Sequence, residues 1–73
     1  MDMARVGGII AGRRKAKGLT QMQLAERVGV TNKAVSKWER GLNYPDIALL
    51  ELLAASLELT VPELLRNISL YIR

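Results

Sequence analysis

Apolar residues recur along this chain at helical spacing in five blocks, each preceded by a residue able to cap a helix. In the first block Val6, Ile9 and Ile10 share a side with Arg13 or Arg14, which predicts a helix from about Met3 to Lys17, with Asp2 placed to cap it. Gly18 would end it, after Lys15 and Lys17, whose charges suit the negative end of a helix dipole. Gly7, Gly8 and Gly12 each cost roughly 0.8 to 1 kcal/mol relative to Ala in a helix interior, so tertiary packing has to hold this element.

In the next two blocks Leu24 and Val28 pair at i,i+4, and Val35 and Trp38 at i,i+3. Thr20 with Gln23 forms a capping box that starts a second helix at Gln21 and carries it to about Val28. Thr31 caps a third, which runs to about Arg40 and stops at Gly41. Ala25 lies where these two helices would cross, and Gly29 falls in the turn between them, where positive φ is wanted. Opposite the apolar stripe of the third helix, Asn32, Lys33, Ser36, Lys37 and Arg40 form a continuous polar one.

Leu42 to Pro45 read as a loop. Asp46 caps a fourth helix, Ile47 to about Leu57, with Ile47, Leu50, Leu53, Ala54 and Leu57 on the periodic face. Thr60 and Glu63 make a second capping box around Pro62, so a fifth helix begins near Val61 and is expected to reach about Asn67. Ile68, Leu70 and Ile72 alternate with Asn67, Ser69 and Tyr71 as a half-buried strand would, and are taken as an apolar tail. The expectation is an all-α chain of five helices and no strands, with a domain over residues 1–67 and a short tail over 68–73.

With 73 residues there is room for one domain whose core is only marginally stabilised by burial. The chain has neither Cys nor His, which removes thiolate nucleophiles, imidazole bases and the common zinc sites together. No catalytic, metal or cofactor site is expected, nor a small-molecule ligand, and the lack of Cys fits a reducing cytoplasm. The apolar run from Ile47 to Leu57 is broken by Glu51 and too short to span a bilayer. Charge is segregated: residues 1–41 hold nine Lys or Arg against three acids, and residues 42–73 two against four. A basic half of this kind is the footprint of phosphate contact, and would also serve an anionic membrane.

The blocks RRKAKGLTQMQLAERVGV, TNKAVSKWERGLNYPD and LTVPELL stand in an order and spacing that resembles the lambda-repressor and Cro type of helix-turn-helix regulators, the XRE family. The resemblance covers about Val6 to Leu65 and implies a compact five-helix domain, with its third helix in the major groove of double-stranded DNA and its second above the backbone. It makes Gln21 a phosphate anchor at a helix N-terminus, and Asn32, Lys33, Ser36 and Lys37 base-facing residues. Lys17, Thr31, Arg40 and Asn43 are the further phosphate contacts expected, and Arg14 with Glu39 a structural ion pair. Two departures stand out: Glu58 occupies a turn where such proteins usually have Gly, and the first helix carries three glycines.

Trp38, on the apolar stripe with Val35, reads as core and not as a stacking platform for a base. The reading is therefore a transcriptional regulator, a repressor acting by occupying a palindromic operator as a homodimer. Leu64, Ile68, Leu70 and Ile72 in the apolar end of the chain are the expected dimer contacts, with Leu65 and Tyr71 beside them. The rival is an antitoxin that binds both DNA and a toxin protein. A peripheral membrane role fits less well, because Lys33 and Lys37 lie opposite a stripe that the core needs.

Overall fold

The computed structural model describes residues 3–65, which form five helices: α1 (Met3–Ala16), α2 (Gln21–Val28), α3 (Asn32–Glu39), α4 (Ile47–Ser56) and α5 (Val61–Leu64). No strand occurs among the described residues. The N-caps are local and act as their residue types dictate. Thr20 Oγ1 accepts from Gln23 N at 3.0 Å while Gln23 Oε1 accepts from Thr20 N at 2.8 Å, and Thr60 with Glu63 repeats the arrangement at α5. Thr31 and Asp46 cap α3 and α4 by accepting from the N–H of Ala34 and Leu49.

Three helices end in one motif. At α1, Leu19 N donates to Arg14 O and Gly18 N to Lys15 O; at α3, Leu42 N donates to Lys37 O and Gly41 N to Trp38 O. At α4 the same pair of bonds runs from Leu59 N to Ala54 O and from Glu58 N to Ala55 O. The left-handed place filled by Gly18 and Gly41 is here filled by Glu58, at φ 59°. The departure visible in the sequence is thus a side chain kept in a glycine conformation, with the turn itself unchanged.

The core collects Val6 and Ile10 from α1, Leu24, Ala25 and Val28 from α2, and Val35 and Trp38 from α3. Leu53, Ala54, Leu57 and Leu64 complete it from the α4 and α5 side. Gly7 permits a close backbone approach: a Cβ there would stand 2.7 Å from the carbonyl oxygen of Glu39, and nearer still to that of Trp38. α1 therefore lies directly on the C-terminal end of α3, which accounts for one of its three glycines. Gly8 and Gly12 face open space.

Two expectations need correction. Ile47, placed with Leu50, Leu53, Ala54 and Leu57 on the periodic face of α4, is 81% exposed. α4 is apolar nearly all round, so spacing cannot single out its inward face, and burial falls on Leu53 and Ala54 with Leu57 at the cap. Leu64, assigned to a dimer contact, is fully buried in the chain's own core and has no surface to offer a partner. α5 is also short, with Leu65 as its C-cap. Asp2, the continuation to Asn67 and the tail with Ile68, Leu70 and Ile72 lie outside the described residues.

Candidate nucleic-acid interface

α2 and α3 pack together, sending Leu24, Ala25 and Val28 from one and Val35 and Trp38 from the other into the core, and Gly29 at φ 83° turns the chain between them. Burying that seam fixes which side of α3 faces outward. Asn32, Lys33 and Lys37 are exposed along it, Ser36 is half-buried between them, and Thr31 is exposed at its start. Lys33 and Lys37 are one turn apart and bring two ammonium groups to one ridge. Arg40 is exposed at the end of α3, where its Nε donates to Ser36 O at 3.3 Å, and Asn43 is exposed in the loop that follows.

Beneath this surface lies a compact polar cluster. Arg14 grips Glu39 in a fork, Nε to Oε2 at 2.6 Å and Nη2 to Oε1 at 3.0 Å, and its Nη1 donates to Leu19 O at 2.8 Å. The hydrogen bond to Glu39 holds the guanidinium still more firmly protonated than usual. Gln21 joins the cluster, its Nε2 donating to Glu39 Oε1 at 3.0 Å. The phosphate anchor expected from the sequence is thus tied to the last residue of α3. That tie carries no sequence signal of its own, since the two residues are 18 apart and on different helices.

Lys17 stands elsewhere. Its Nζ pairs with Glu58 Oε2 at 2.8 Å in the turn between α4 and α5, next to Arg13 Nη2, which donates to Leu57 O at 3.2 Å. The Lys17 ammonium holds the Glu58 carboxyl below the usual carboxylate range, first by its hydrogen bond and then by its charge. Among the described residues no cluster of three His, Cys, Asp or Glu could hold a metal ion, and no helix is long and apolar enough to cross a membrane.

α2 and α3 are two short helices packed into one core, with a cationic ridge on the outward side of the second, and residues 10–64 match the family model described as helix-turn-helix. The chain belongs to the Cro/C1-type helix-turn-helix family. This is a family of DNA-binding transcriptional regulators. Among its relatives is the HTH-type transcriptional activator BcrR of Enterococcus faecalis, 44% identical over 52 residues, which are 71% of this chain and 26% of BcrR. The helix-turn-helix chain thus spans about a quarter of that relative's length. The restriction-modification controller protein C.AhdI from Aeromonas hydrophila superposes with a TM-score of 0.80 at 32% identity, over 86% of this chain and 91% of that one. The P22 c2 repressor, solved with a synthetic operator, superposes with a TM-score of 0.79 at 36% identity, over 81% and 89% of the two chains.

Proposed function

We propose that this helix-turn-helix chain binds double-stranded DNA in a sequence-specific manner and represses transcription by occupying promoter DNA. α3 enters the major groove, with Asn32, Lys33, Ser36 and Lys37 toward the base edges. The observation that carries this is the exposed Asn32, Lys33 and Lys37 ridge on a helix whose opposite side is consumed by the core. An Asn amide suits adenine and a Lys ammonium suits guanine, so each can read an edge. Gln21, Thr31, Arg40 and Asn43 flank the ridge as backbone contacts, while Lys17 would have to leave Glu58 to join them.

One inserted helix reads only a few base pairs, so two copies on a palindrome are proposed. With Leu64 buried, the surface suited to a second copy is the apolar groove of about 630 Å³ bordered by Tyr44, Pro45, Ile47, Ala48, Leu50 and Leu65. Leu65, the last described residue, lines it, and Ile68, Leu70 and Ile72, which follow in the sequence, are the further dimer contacts proposed. The name of BcrR supports a second reading, activation, which depends on where the bound site stands relative to a promoter.

Selection of bound sequences from a random duplex pool tests the proposal. A palindromic consensus is expected, with half-sites about 34 Å apart. Asn32→Ala, Lys33→Ala and Lys37→Ala should each lose roughly 1 to 3 kcal/mol on the best site and flatten preference at one base position. Equal losses on selected and random duplexes would sink the assignment of α3. Placing the selected site over and upstream of a reporter promoter separates repression from activation.

A further inference from the structure

The Glu39 carboxylate receives three N–H donors, and the fold accounts for only two of them. The Arg14 fork ties α1 to α3, which is what a structural ion pair does. The third donor is the amide of Gln21, the first residue of α2, which adds nothing to that tie. We propose that Glu39 is a positioning residue that holds the Gln21 side chain in place for a DNA phosphate. This rests on the reading of Gln21 as a phosphate anchor.

The chemistry of the contact sets the orientation of the amide. An ionised carboxylate only accepts, so the nitrogen of the Gln21 amide must face Glu39 and its oxygen must face away. One N–H is used at 3.0 Å and the second remains for an outside acceptor, beside the first-turn N–H groups of Gln21 and Met22, which helix geometry leaves without an intrahelical partner. A carboxylate so near would ordinarily repel a phosphate. Here Arg14 neutralises it from the other side, at 2.6 Å. Fixing a long Gln side chain before binding lowers the ordering cost that binding would otherwise carry. The recognition helix thereby places the anchor of its neighbour, so the two contact elements arrive at the duplex in one register.

A double-mutant cycle tests the link, using the full chain and a mixed-sequence DNA duplex. Gln21→Ala and Glu39→Gln should each weaken binding by about threefold to tenfold, and the double variant should be no weaker than the worse single one. Glu39→Gln retains a carbonyl oxygen for Arg14 but turns an amide toward Gln21. Additive losses, or Glu39→Gln that melts lower and binds the duplex as before, would overturn the proposal. Gln21→Ala with unchanged affinity would overturn the anchor reading and the proposal with it. Should Glu39→Gln not fold, the side-chain amide resonances of Gln21 in the unmodified chain decide the matter. Amide proton shifts displaced from those of Gln in an unfolded peptide, with slowed exchange and a further shift on adding duplex, support the link, and shifts and exchange equal to those of the unfolded peptide overturn it.

Discussion

The end of α1 ties the molecule together twice, and the two ties are built unequally. Toward α3, Arg14 meets Glu39 in a fork, with side chains only 10% and 7% exposed, further bonds to Leu19 O and from Gln21, and Gly7 admitting the backbone of α3 to close contact. Toward the α4 to α5 turn, Lys17 meets Glu58 through one bond, with side chains 21% and 72% exposed, on a residue held at positive φ. Both are ion pairs of similar length. The first sits where its partners cannot be replaced by water, and the second where water and salt replace them readily. The inner tie sets whether the domain folds and presents α3, whereas the outer one trims the energy of a turn.

Glu39→Ala should separate the two most sharply. It strands the Arg14 guanidinium in a nearly buried place, and the expected loss is about 3 to 5 kcal/mol, a large part of what a domain this size has. Thermal unfolding followed by circular dichroism reads the result. A melting temperature unchanged by the substitution would place both ties in the same class.

Gly7→Ala addresses the same junction through packing. The added Cβ meets backbone oxygens of Trp38 and Glu39 that cannot move without shifting α3, so a loss of roughly 1 to 3 kcal/mol is expected. Gly12→Ala, in open space on the same helix, should instead gain up to about 1 kcal/mol from helix propensity. Opposite signs for two identical substitutions five residues apart would locate the constraint at the α1 to α3 contact. Gains at both would mean that the close approach is not required.

The inner tie was only partly legible in the sequence. Caps are local, so Thr20 with Gln23, Thr31, Asp46 and Thr60 with Glu63 could be read from neighbours three residues apart, and all of them act in the structure. Arg14 and Glu39 were named through family resemblance, because no local pattern joins residues 25 apart. The Gln21 bond to Glu39 and the role of Gly7 were not visible, since each depends on how two helices meet. Ile47 was misplaced because α4 offers apolar residues on every side, and Leu64 because an apolar residue near the end of a chain reads equally as core or as partner surface. Glu58 was recognised as unusual from its position alone, but what it does at φ 59° required the backbone.

The outer tie is best probed at Glu58 itself, where the expected effect is the smallest and has the opposite sign. Glu58→Gly removes the carboxylate from Lys17 and also frees the backbone from a left-handed conformation that side chains disfavour. With Glu58 largely in solvent, the lost bridge counts for little, and the variant should melt slightly above the parent at neutral pH. Acid sharpens the test. The folded Glu58 carboxyl titrates below the unfolded one, so the bridge contributes fully above the ordinary carboxylate range and fades as pH falls through the depressed value. Below about pH 4 the parent therefore loses a contribution that Glu58→Gly never had, and the gap between the two should widen. Molar salt at neutral pH should widen it in the same direction, by screening the bridge without touching the backbone. A variant that melts below the parent would show that the outer tie carries structural weight comparable in kind to the inner one, and a gap that narrows in acid would show that the bridge does not stabilise the turn.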